Sequence, residues 1–272
     1  MDDELVFAVT WQRRGEPLGQ KLDAFAKWLG EQLGCKIVPK VSLSYEELLD
    51  GIRKETIDIA WLPPIVSAML EREGRSRGLL VSERIGSTLF HSVIVCAEDM
   101  PWKTPKEIRG ARAAWVDPWS ASGYVLARLH LHQLGVDPAV AFVDERFLGS
   151  HDAAIQRLLQ GHADLAATYA NLDADGHVTS AGWRGHADAR SRVRILAVIG
   201  AIPSDVIGVR STLDPDLQVR IASTLEKGVR GDAQAIIQDA FDVTGLRAPV
   251  PDDKLHRALE KAIGAGLFPY FK

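Results

Sequence analysis

Short apolar runs alternate with amphipathic stretches along nearly the whole chain. Runs at 5–9, 36–41, 57–61, 78–82, 92–97, 113–116, 141–143, 165–169 and 193–199 have the length and composition of strands. Between them, apolar positions recur at three- and four-residue spacing and predict helices over 18–33, 45–53, 65–72, 124–134 and 153–159. This alternation points to an α/β protein with parallel sheets covered by helices. Several strand runs are apolar at every position, as strands buried on both faces are. From Asp214 onward the pattern turns helical, over 215–227, 231–241 and 251–263. Asp214 suits a helix N-cap, and Pro215 suits the first helical position, where a missing N–H costs nothing.

With 272 residues the chain is long enough for two sheets of four or five strands. Turn-prone, proline-containing stretches after apolar strands, near 96–101 and 200–204, mark two crossings. They divide the chain into a discontinuous first lobe, 1–97 plus 203–272, and an inserted second lobe, 98–202. A cleft between such lobes is a usual place for a small-molecule site. Hydrophobic residues make up 46% and charged residues 25%, ordinary values for a globular chain. A formal charge of −4 argues against a nucleic-acid surface, and no apolar run reaches the ~20 residues of a membrane helix.

The start, Met1-Asp2-Asp3-Glu4, has neither the basic nor the apolar region of a signal peptide. The expected location is therefore periplasmic if the chain is a trimmed mature form, and cytoplasmic if Met1 is native. Cys35 and Cys96 lie in apolar surroundings and read as core thiols. The eight histidines show no metal spacing, and no P-loop is present, so no cofactor or metal is expected.

The segment Trp119-Ser120-Ala121-Ser122-Gly123-Tyr124 sits where a strand runs into a helix. The first turn of a helix has N–H groups without intrahelical partners and a partial positive charge, which together favour anions. Gly149-Ser150-His151-Asp152 is a second helix start of this kind about thirty residues later. Serine is also an ordinary N-cap, worth ~1 kcal/mol of helix stability, so capping alone is the rival explanation.

Several segments then match a known family in order along residues 5–265. They are Tyr45-Glu46-Glu47-Leu48-Leu49, Ile57-Asp58-Ile59-Ala60-Trp61-Leu62-Pro63-Pro64 and Phe90-His91-Ser92-Val93-Ile94-Val95. Asp117 to Tyr124, Gly149 to Ala154, Ala163 to Tyr169 and Ile202-Pro203-Ser204-Asp205 complete the set. Together they resemble the phosphate/phosphite/phosphonate-binding proteins of ABC uptake systems, the PhnD-like periplasmic binding proteins. The resemblance implies a two-lobed type II (Venus flytrap) fold with a mixed, mostly parallel sheet in each lobe. It implies a solute-binding protein without catalysis, holding a small phosphorus oxyanion or organophosphonate between the lobes. The expected partners are that anion and an ABC permease or a signalling module, with no nucleic acid and no membrane span.

The resemblance also assigns residues. Ser120 and Ser122 would donate hydroxyl hydrogen bonds beside the N–H groups of Ser122 and Gly123, and Ala121 replaces the middle hydroxyl of the family triplet. His151 would add a charge-assisted hydrogen bond, against the alternative that it caps its own helix. Tyr45 would reach the anion through its hydroxyl, or else be a core tyrosine. Phe90 stands where a second tyrosine is common and cannot donate. His91 points to the other side of its strand and could replace that contact only if the pairing shifted. Asp205 would pair with a ligand amine, or else cap or solvate the surface. Trp61, Trp119 and Tyr169 are candidate apolar walls or simply core. The rivals to a binding protein are an enzyme on the same bilobal fold, for which no clustered acid, base and nucleophile is visible, and a sensor or scaffold that has altered or lost ligand binding.

Overall fold

A computed structural model describes residues 4–10, 18–173, 175–249, 257, 258 and 261, apart from the side chains of Leu18, Pro138 and Arg190. The helix expected over 251–263 lies outside the described residues except at 257, 258 and 261. The described residues fall into two compact units. One comprises those within 1–88 and 203–252, the other those within 89–202 with the few after 252.

The first unit begins with β1 (Glu4–Thr10), α1 (Leu18–Leu33), β2 (Lys36–Ser42), α2 (Tyr45–Arg53), β3 (Ile59–Leu62), α3 (Pro64–Arg72) and β4 (Ser76–Glu83). The chain then builds the second unit from β5 (Leu89–Ala97), β6 (Ala111–Trp115), α4 (Leu126–Gln133), α5 (Pro138–Ala141), β7 (Phe142–Phe147), α6 (His151–Leu159), β8 (Leu165–Leu172), β9 (Val178–Ala181), α7 (Ala189–Arg192) and β10 (Val193–Pro203). It returns to the first with β11 (Val206–Arg210), α8 (Pro215–Gly228), α9 (Gln234–Phe241) and β12 (Gly245–Arg247).

Both sheets are mixed. In the first the order is β12-β4-β11-β3-β1-β2, with β1 parallel to β2 and β3, and with β11 antiparallel between β3 and β4. Its core gathers Phe7, Phe25 and Phe241, with Trp61 stacked on Phe241 at 4.5 Å. In the second the order is β10-β5-β8-β6-β7, with β6 parallel to β7 and β8, and β5 antiparallel to β8. Residues 89–97, expected in the first lobe, therefore belong to the second sheet: β5 hydrogen-bonds to β8 from His91–Ala170 to Cys96–Leu165. An apolar strand without its partner does not declare which sheet it joins, so the crossing falls before β5 rather than after it. Cys35 and Cys96 are both free thiols, and burial raises the pKa of each.

Two local features carry measurable energy. Arg84 and Ser87 close a two-residue turn whose central residues, Ile85 and Gly86, have φ of 51° and 76°. Such hairpin turns favour Asn-Gly, because a β-branched side chain in the left-handed region is strained. Ile85 is 67% exposed, so it buries little in return. Ile85→Asn is expected to raise stability by about 1 kcal/mol, read as a higher urea midpoint at unchanged m. At the other end, Asp164 accepts from the Arg112 backbone N–H at 2.8 Å and from its guanidinium, tying the start of β6 to that of β8. The guanidinium hydrogen bond holds the Asp164 carboxyl below its usual pKa, so its contribution is present above the unfolded pKa and is lost as pH falls through the lower folded value. The stability gap between wild type and Asp164→Asn is expected to close on acidification below about pH 4, measured by thermal unfolding.

Candidate functional site

The first helix start grows from the end of β6. Strand residues Ala113, Ala114 and Trp115 and the following Val116 are fully buried or nearly so, which fixes where the strand ends. Asp117 then makes the turn, its side chain accepting from the Trp119 N–H at 2.8 Å and its carbonyl from the Ser120 N–H at 3.0 Å. Ser120 is the N-cap, and its Oγ accepts from the Gly123 N–H at 3.0 Å. The first turn, Ala121–Val125, is π-helical, with the Val125 N–H bonded to the Ser120 carbonyl five residues back at 2.9 Å, and it leads into α4. Gly123 is required by packing: a Cβ there would lie 2.3 Å from Val116 Cγ2 and 2.4 Å from Val116 Cβ.

The second start is held by the same residue. The Gly149 N–H donates to the Val116 carbonyl at 2.8 Å, while the Val116 N–H donates to the Gly123 carbonyl at 3.1 Å. Gly149 has φ of +78°, which turns the chain into Ser150. Ser150 caps α6, its Oγ accepting from the Ala153 N–H at 3.1 Å. His151 is thus the first helical residue and not the cap. Its Nδ1 lies 2.9 Å from Thr168 Oγ1, and its ring meets Tyr169 edge-on at 5.0 Å. One backbone unit, Val116, therefore joins both helix starts to the end of one strand.

Beside the first start, the Ser92 hydroxyl donates to the Ser122 carbonyl at 2.8 Å. Ser120, Ala121 and Ser122 are 3–4% exposed. The Gly123 N–H, expected to face an anion, is already engaged by Ser120 Oγ; the hydroxyl hydrogens of Ser120 and Ser122 and the amides of Ala121 and Ser122 are what this turn offers. Ser92 and Phe90 share one face of β5, the face turned to Ser122. His91 is on the other face, and the β5–β8 register is unbroken, so the pairing shift that was its condition does not occur. That opposite face is the one carrying Thr168, across from Val93, and through it His151. His91 thus shares a face with His151 without any slip. Its Nδ1 is buried with no hydrogen-bond partner among the described residues, and burial lowers its pKa.

Three expected residues lie in the first unit. Tyr45 opens α2 and is 8% exposed. Trp61 is stacked on Phe241 within the core of this unit. Asp205 has a cation within its own chain: Arg84 Nη2 lies 3.2 Å from Asp205 Oδ2, while Arg84 also donates to Ser82 Oγ and the Asp242 carbonyl. The carboxylate expected to pair with a ligand amine is thus already paired with a cation of its own chain. Among the described residues one group has metal-like spacing, the exposed Asp173, Asp175 and His177, in which Asp173 Oδ1 accepts the N–H groups of Asp175 and His177 and so caps its own turn.

Thr168, Ser92 and Gly182 join the site without a sequence signal of their own. Thr168 and Ser92 are fully buried hydroxyls inside apolar strands. Gly182 is where a Cβ would come within 1.9 Å of Thr168 Oγ1.

The model of the family described as "ABC transporter, phosphonate, periplasmic substrate-binding protein" matches residues 7–254. The chain belongs to that family. Among solved structures, a Xanthomonas citri protein bound to chloride superposes with a TM-score of 0.80 at 20% identity, covering 98% of each chain. PhnD1 of Prochlorococcus marinus, in complex with methylphosphonate, gives 0.76 at 18% identity over 97% of this chain and 98% of that one. The binding-protein component of an ABC phosphonate transporter from Pseudomonas aeruginosa gives 0.77 at 16%, over 96% and 85%. These likenesses place this family member on the type II binding-protein fold. The family is one of periplasmic transport components, and no helix among the described residues is long and apolar enough to cross a membrane.

Proposed function

We propose that this chain captures a small phosphonate or related phosphorus oxyanion for an ABC permease, and that the anion sits at the paired starts of the π-turn and α6. The observation that supports the reading most is the shared anchoring of both starts on Val116, which sets Ser120, Ser122 and His151 around the end of β6. Helix starts bring amide donors and positive potential, serine hydroxyls add donors, and a protonated imidazole adds charge. A ligand without an amine, such as methylphosphonate or phosphite, suits an Asp205 already paired with Arg84. The methylphosphonate held by the Prochlorococcus relative is of that class.

A thermal-shift and calorimetric series with methylphosphonate, phosphite, phosphate, 2-aminoethylphosphonate and sulfate tests this. A ligand at a hundred times its Kd stabilises the fold by about 2.7 kcal/mol. Methylphosphonate or phosphite should give the largest shift. A folded protein that none of the three phosphorus oxyanions and no aminophosphonate stabilises would overturn the reading.

A further inference from the structure

We propose that Thr168 is a positioning residue: its hydroxyl, held on His151 Nδ1, makes Nε2 the donor nitrogen whether the ring is charged or neutral. The inference rests on the reading of His151 as an anion contact, although its first test does not.

The geometry around Thr168 is built to hold that hydroxyl in place. Thr168 is fully buried on β8, and Oγ1 lies 2.9 Å from Nδ1. A β-branched side chain has few χ1 choices, so the direction of the hydroxyl is fixed by the strand. Gly182 closes the other side: a Cβ there would stand 1.9 Å from Oγ1 and 3.4 Å from His151 Cβ. The Gly182 N–H donates to the Tyr169 carbonyl at 3.0 Å, which keeps this glycine beside the pair. No larger residue fits at 182 while Thr168 bonds the imidazole.

The choice of a hydroxyl has a chemical consequence. A hydroxyl both donates and accepts, whereas a neutral imidazole carries one N–H and one lone pair. When His151 is charged, Nδ1–H donates to Oγ1 and Nε2–H remains a donor. When the ring loses a proton, the fully buried hydroxyl hydrogen of Thr168, which has no other acceptor among the described residues, donates to the Nδ1 lone pair, and the proton that stays is on Nε2. A carboxylate in place of Thr168 would fix the opposite polarity at Nδ1 and bring a countercharge that competes with the anion. The titratable groups around the ring are Tyr169 on β8, Asp152 in the same helical turn, His186, whose Nε2 lies 3.0 Å from Asp152 Oδ1, and His91 on the shared face of β5.

The tautomer is read first, in the ligand-free protein, by ¹⁵N-resolved histidine NMR at about pH 8.5, with the His151 signal assigned by its loss in His151→Gln. Wild type should show the Nε2–H form, Thr168→Val a mixture or the Nδ1–H form, and Thr168→Ser the wild-type form again. Methylphosphonate affinity should fall only a few-fold from pH 5.5 to 8.5 in wild type, about tenfold or more in Thr168→Val, and a few-fold in Thr168→Ser. Thr168→Ala serves in place of the valine variant if the latter does not fold. An Nδ1–H tautomer in wild type, or superimposable pH profiles for wild type and the folded variants lacking the hydroxyl, would overturn the proposal. If the tautomers behave as stated while folded wild type binds no methylphosphonate at any pH, the anion-site reading falls and the link from Thr168 to binding falls with it.

Discussion

Gly123→Ala is expected to destabilise the protein by about 1–3 kcal/mol and to remove anion binding at the first helix start. The new Cβ would sit 2.3–2.4 Å from Val116 side-chain carbons and 2.8 Å from Ser120 Oγ. Val116 is fully buried, and its backbone holds both helix starts, so it has no room to retreat. The least disruptive response moves the π-turn outward, which breaks the Gly123 N–H to Ser120 Oγ cap and displaces the Ser122 carbonyl from the Ser92 hydroxyl. Urea unfolding measures the first effect and calorimetry the second. Val116→Ala removes the Cγ2 contact but leaves Val116 Cβ 2.4 Å from the new carbon, so the double variant should recover only part of the loss, with a coupling energy of about 0.5–3 kcal/mol. Normal binding by a folded Gly123→Ala variant would show that the close approach does not position the turn.

His151→Ala should weaken methylphosphonate binding by roughly thirty- to a hundred-and-fifty-fold, the effect of losing a hydrogen bond to a charged group worth about 2–3 kcal/mol. Stability should change much less, by about 1 kcal/mol, because the residue that caps α6 is Ser150 and the main loss is a partner for the buried Thr168 hydroxyl. Ser150→Ala gives the contrast. It removes the cap bond to the Ala153 N–H and should cost about 1 kcal/mol of stability. If His151→Ala instead lost stability like a capping variant and kept its affinity, the histidine would be structural.

The helices with strong periodicity were legible in the chain. The stretches 18–33 and 45–53 coincide with α1 and α2, whose buried faces repeat every three to four residues. Elements whose existence depends on distant partners were not. β11 is five residues long with Gly208 in its middle, and it is a strand because it slots antiparallel between β3 and β4. A Cβ at 208 would meet Leu62 Cδ1 at 2.5 Å, a constraint written 146 positions away. The periodicity predicts a helix from 124, whereas the π-turn begins at Ala121 and α4 at Leu126, because a five-residue hydrogen-bond step leaves no periodic trace. In the site, hydroxyl-and-glycine spacing pointed to both helix starts, since caps are local chemistry. Thr168 and Ser92 carry no signal of their own in the chain, because a single hydroxyl inside an apolar run reads as part of the strand. The Arg84–Asp205 pair joins residues 121 apart, so the cation that neutralises Asp205 had no signature near it.

The crystal structure of the protein with methylphosphonate bound tests the central claim most directly. The account predicts phosphonate oxygens within about 2.7–3.2 Å of the Ser122 hydroxyl or amide and of His151 Nε2. A well-ordered phosphonate elsewhere, with the starts of both helices left empty, would contradict it.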